Sequence, residues 1–110
     1  MLYKFKSKVT GDLIMLEPNG RQMLNLIGKG DPASSIKGIL LPHDMPGAIA
    51  ALRRAMDDDE MALQQRIAQA QAAGETLSRS DMVSLRQRAV PLIDMMQRCH
   101  GAGEAIVWGV

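Results

Sequence analysis

Arg86, Gln87 and Arg88 are the side chains best suited to hold a ligand. A guanidinium forks onto a carboxylate or phosphate, and an amide adds both a donor and an acceptor. Their spacing limits what they do together. On a helix, residues two apart point about 200° from one another, so the two arginines do not converge on one small ligand. One is expected to pair with an acid on a neighbouring helix while the other meets solvent. Pro91 lies in the same stretch and takes away the N–H that the Gln87 carbonyl would otherwise accept. A bend there wraps the helix around its neighbours and leaves a polar atom beside the arginines.

The other reactive types are more scattered. Cys99 and His100 are adjacent, hence about 100° apart on a helix, and neither a CxxC nor an HxxxH spacing occurs. Cys99 falls on an apolar stripe and reads as a small buried hydrophobe, and His100 suits the end of a helix dipole. His43 and Asp44 mark a helix start. Asp57-Asp58-Asp59-Glu60 supplies oxygens but not the alternation, glycine and closing glutamate of a calcium loop, and reads as a solvated acidic turn. Gly28-Lys29-Gly30 is followed by Asp31, where a phosphate loop needs serine or threonine. Lys4, Lys6 and Lys8 alternate along a strand, but three aromatics in the chain give nucleic-acid bases little to stack on. They read as protection of a strand edge. No catalytic residue, metal ligand set or cofactor is assigned.

A chain of 110 residues forms one domain with one core. Nine methionines against three aromatics mean a core of aliphatic side chains, with methionine filling irregular gaps. A net charge of +1 gives no field to steer nucleic acid or an anionic membrane. A single cysteine fits a reducing compartment. The first residues lack the apolar run of a secretory signal, and no stretch approaches the roughly 20 apolar residues of a membrane helix.

Several elements must position these side chains. Leu2–Val9 alternates, with Tyr3, Phe5 and Val9 on one face and the lysines on the other, which predicts a strand. Residues 12–16 form a short element, strand or helix. Pro18 delays a helix to Asn19–Ile27, capped by Gly28. Residues 28–35 read as a loop and 36–41 as a strand or extended segment. A helix capped by Asp44, with Pro46 in its first turn, steps through Ile49, Leu52, Met56, Leu63, Ile67 and Ala70 for about seven turns. It is open to a break at the acidic run. After a connection of about six residues, a second helix starts at Ser80 and returns antiparallel. Its stripe Leu85, Ala89, Leu92, Met96 and Cys99 is widened by Met82, Val83, Val90, Ile93 and Met95, so it packs on more than one side. Glu104–Val110 closes the chain as a buried strand beside the first.

Met1-Leu-Tyr-Lys-Phe-Lys-Ser-Lys8, Asp12-Leu-Ile-Met-Leu16, Ile27-Gly28-Lys29, Met45-Pro46 with Ala48-Ile49-Ala50 and Leu52, Val83-Ser-Leu-Arg-Gln-Arg-Ala89 with Pro91-Leu92, and Val107-Trp-Gly-Val110 together resemble a short bacterial family, Domain of Unknown Function 1840. The resemblance spans nearly the whole chain, and Ser84-Leu-Arg-Gln-Arg-Ala89 is its most specific part. It implies a bacterial, single-domain, cytoplasmic protein and brings no reaction, ligand or catalytic residue with it. The acidic run and Cys99-His100 lie outside the resembling pattern.

The expected fold is α+β: a small sheet pairs the N- and C-terminal strands, covered by one short helix and a long antiparallel helical hairpin. The expected function is a non-catalytic module that binds a protein or small ligand. It is expected to be a homo-oligomer, because so small a sheet leaves an edge and an apolar face to cover. The alternative is a small enzyme or metal-dependent catalyst with Arg86, Arg88 and His43 or His100 in its site. It lacks a recognisable nucleophile–base or carboxylate pair.

Overall fold

The computed structural model describes residues 2–77 and 85–109. Strand β1 (Leu2–Phe5) pairs antiparallel with β2 (Leu13–Leu16), and β3 (Gly38–Leu40) pairs antiparallel with β4 (Ile106–Trp108). One bridge joins the two hairpins: the Lys6 N–H donates to the Val107 carbonyl at 2.8 Å, and the Val107 N–H donates back at 2.9 Å. The structure therefore has two two-stranded sheets joined by this single bridge, in the spatial order β2-β1-β4-β3 with the first and last strands in the middle. This is the expected α+β arrangement. The lysines, however, do not guard an edge. Lys4 and Lys6 lie on the central strand line, and the free edges belong to β2 and β3. The strand is also shorter than its alternation predicts. Ser7 and Lys8 lead the chain out of the ladder, and Val9 is exposed instead of joining Tyr3 and Phe5 in the core.

Helix α1 (Glu17–Leu26) starts directly from β2, two residues earlier than expected. Pro18 does not delay it, because a proline in the first turn has no intrahelical N–H to lose. The helix ends on Gly28 at φ 84°, with the Lys29 N–H donating to the Leu24 carbonyl at 2.7 Å. That is a left-handed cap which glycine adopts without a Cβ clash. The stretch read as a loop contains a helix, α2 (Pro32–Ile36). Asp31 caps it by accepting the Ser34 N–H at 3.1 Å, and Pro32 sits at its first position. The Ser34 hydrogen bonds hold the Asp31 carboxyl below its ordinary pKa of 3.8. A folded value below the unfolded one stabilises above the unfolded pKa, and this stabilisation is lost as pH falls through the folded one.

Helix α3 (Met45–Ala72) runs unbroken for 28 residues. It opens from a 3-10 turn over Pro42–Asp44 and not from an Asp44 cap. Asp44 already has helical angles, and its carboxylate lies 3.3 Å from His43 Nε2. The acidic run does not break α3, because helix α4 (Arg86–Ala102) neutralises part of it. Asp59 accepts the Leu85 N–H at 2.8 Å, and Glu60 pairs with Arg86. One acid therefore caps the start of α4 from outside and the other binds its first side chain. Asp59→Ala is expected to lower stability by about 1 kcal/mol, as loss of a helix cap does, with Asp59→Asn keeping most of it. Thermal denaturation of the two variants checks this. The expected Ser80 cap, Asp81, Met82 and Val83 lie outside the described residues.

The core lies between the sheet and the helices. Tyr3, Phe5 and Met15 enter it from the first hairpin, Leu40, Ile106 and Trp108 from the second. Met45, Ala48, Leu52 and Met56 enter from α3, and Ala89, Leu92, Ile93, Met95, Met96 and Cys99 from α4. Six methionines are buried, as expected of gap fillers. Phe5 packs on Trp108 with ring centroids 5.9 Å apart. The polar ends of Tyr3 and Trp108 reach α2: the Tyr3 hydroxyl donates to the Ser35 carbonyl, and Trp108 Nε1–H donates to the Ser34 carbonyl at 2.6 Å. Those carbonyls are among the last four of a short helix, which have no partner within it. The C-terminal half of α3 contributes no buried residue among those described, and the long dimension of the molecule is 50 Å.

Candidate functional site

The Arg86-Gln87-Arg88 triplet opens α4, and its members diverge as helix geometry requires. Arg86 turns to α3 and pairs with Glu60, whose hydrogen bond and charge raise the arginine pKa further. Both partners are largely exposed, so this pair is a solvent-screened link between helices. Arg86→Gln is expected to leave the fold intact and to lower the melting temperature slightly. A melting series in rising salt should shrink the difference between variant and parent.

Arg88 turns to α1 instead, and its Nη1 donates to Gln22 Oε1 at 2.7 Å. Its partner is a neutral amide, so the charge is not compensated there. Gln87 and Arg88 line one cleft of about 330 Å³ with Leu13, Ile14, Met15, Leu16, Asn19 and Pro91. Consecutive strand residues point to opposite faces. A cleft lined by all four residues of β2 therefore lies along the strand's edge, and β1 occupies the other edge. A second cleft of about 240 Å³ shares Leu13 and Pro91 and continues past Asp12 and Asp94 to Arg98. The two form a groove between β2 and α4. Pro91 stands in its middle, and the Gln87 carbonyl receives no N–H from it.

The other candidates are placed apart. Cys99 is buried, with its Sγ 3.0 Å from Ser7 Oγ, and His100 is exposed. His43 is exposed beside Asp44. Among the described residues no group of three His, Cys, Asp or Glu side chains is placed to hold a metal ion, and no helix is long and apolar enough to cross a membrane.

A second surface was not resolved into residues by the sequence alone. Tyr3, Phe5, Met15, Leu40, Ile106 and Trp108 face the core, so the alternate residues face outward. Leu2 is opposite Leu16, Lys4 opposite Ile14, Lys6 opposite Val107 and Ile39 opposite Val107. On this outer face Leu2 is 50% exposed, Ile14 53%, Leu16 62%, Ile39 45% and Leu41 39%. The signal was present in Leu13–Leu16 and Ile39–Leu41, where apolar residues occupy both phases of the alternation. It becomes a patch only once the strand order is known.

A family model described as Domain of unknown function (DUF1840) matches residues 1–108. No curated protein and no solved structure matches the chain.

Proposed function

The chain belongs to the DUF1840 family, a premise that carries no reaction with it, and we propose that it is a non-catalytic interaction module that joins a second copy of itself through the outer sheet face. The supporting observation is the set of five half-exposed aliphatic side chains on one side of the small sheet. Together they expose on the order of several hundred Å² of apolar surface, the size at which a monomer's largest patch marks an interaction. With the stems of Lys4 and Lys6 and the Val107 side chain, the face approaches the roughly 800 Å² that each partner of a stable dimer buries. The ammonium groups of both lysines reach the rim while their stems cover the centre. The same patch on both copies makes the contact two-fold and self-complementary.

A bacterial cytoplasm suits a chain whose single cysteine is buried and reduced. A membrane or nucleic acid is not the partner we infer, given the near-neutral charge and scarcity of aromatics. Arg86 and Arg88 diverge, which weakens the alternative of a small enzyme using both in one site. Native mass spectrometry of protein purified from its own host tests the assignment. A dimer without bound metal or metabolite is expected. A monomer at every concentration, or a stoichiometric metal or metabolite, overturns it.

A further inference from the structure

We propose that the groove between the free edge of β2 and helix α4 takes up an extended peptide segment as an added strand, with a carboxylate of that segment held by Arg88. This surface shares Ile14 and Leu16 with the outer face, but it engages its partner through the strand edge and Arg88 and does not depend on self-association. Three independent features converge on it.

The first is the edge itself. In an antiparallel ladder, alternate residues send their N–H and C=O groups to opposite sides. Lys6 sends both of its groups to Val107, so Lys4 faces the β4 side with it, and Tyr3 and Phe5 face β2. Their partners Met15 and Leu13 then face β1, and Ile14 presents its N–H and C=O to the groove. Such an edge is a template for another strand.

The second is the opposite wall. Pro91 cannot donate, and the Gln87 carbonyl and side-chain amide sit beside it, so α4 offers acceptors and a donor where a helix normally offers none. The third is charge. Arg88 is half-buried, and among the described residues its side chain meets neutral Gln22 and has no carboxylate within ion-pair distance. At the far end Asp12 and Asp94 line the groove, and Asp94 already pairs with Arg98 at 3.1 Å. Among the described residues, that leaves Arg88 as an unmatched cation at one end and Asp12 as an unmatched carboxylate at the other, a polarity that selects a segment with its carboxylate at the Arg88 end. A guanidinium grips a carboxylate in a two-point fork that a neutral amide does not reproduce. Five extended residues span about 17 Å, longer than the four-residue strand β2 they would pair with.

The probe is a synthetic library of N-acetylated pentapeptides alternating Val, Ile and Thr, with either Glu or Gln fixed at one end, titrated into the isotopically labelled full chain. The amide signals of Ile14 and Leu16 should shift saturably with the Glu peptides. The Gln peptides should bind at least tenfold more weakly. Arg88→Gln should remove the difference between the two sets, and methylating the central peptide nitrogens should abolish binding. Should Arg88→Gln fail to fold, the Glu-against-Gln and methylated comparisons on the parent chain still decide. No saturable shift, shifts that spare Ile14, or equal affinity for Glu and Gln peptides would overturn the proposal.

Discussion

Trp108→Ala should destabilise the protein by about 3–5 kcal/mol, the range for emptying a buried aromatic site. That is a large share of the roughly 5–15 kcal/mol that holds a domain of this size together. The side chain is 1% exposed and packs on Phe5. Gly38 lies directly on the indole: a Cβ there would meet Trp108 Cζ2 at 2.5 Å, so the backbone of β3 rests where any side chain would collide. The indole N–H also satisfies the Ser34 carbonyl of α2. The truncation therefore opens a cavity, frees a carbonyl and removes what β3 and α2 lean on. Trp108→Phe keeps most of the apolar volume and loses the hydrogen bond, so it should cost less, about 1–3 kcal/mol. Chemical denaturation followed by circular dichroism measures both. In the parent, the sole tryptophan should emit at short wavelength and move red on unfolding. Red emission from the native protein, or an alanine variant as stable as the parent, would sink this account of the core.

How far the residue pattern reaches is clear from such positions. Tyr3 and Phe5 face inward because their alternation with Lys4 and Lys6 is unambiguous; the burial of the closing strand follows from its two apolar faces, but that Trp108 and not Val107 points to the core does not. The long helix through Leu52 and Met56 follows from three- and four-residue spacing. What failed has local physical causes. The composition of 28–35 suggests a loop, yet Asp31-Pro32 is also the start signal of a helix, and Tyr3 and Trp108 stabilise its end from far along the chain. Aspartates weaken a helix by propensity, yet Asp59 and Glu60 meet the start of α4, a contact no window around residue 57 contains. Asp44 resembles a cap until the 3-10 turn gives it helical angles. The divergence of Arg86 and Arg88 was legible from spacing. That Arg88 ends in a groove beside β2 was not, since it depends on how α4 crosses the sheet.

Combining Leu2→Lys with Ile39→Lys should weaken the proposed self-association by roughly a thousandfold or more. Burying the remaining half of an exposed Leu or Ile side chain contributes about 1 kcal/mol. A two-fold contact uses each residue twice, so the pair accounts for about 4 kcal/mol, and each 1.4 kcal/mol is tenfold in Kd. The introduced ammonium groups add repulsion against those of Lys4 and Lys6 on the same face. Both positions point away from the core and neither lines the β2–α4 groove, so the monomer's fold and peptide binding are expected to persist. Val90→Lys supplies the control: Val90 is also exposed and aliphatic, but it lies on α4. Sedimentation across a concentration series separates the outcomes. Loss of the dimer in the double variant with retention in the Val90 variant fits a sheet-to-sheet contact. The reverse pattern would move the interface to the helical side and leave the outer face without a partner.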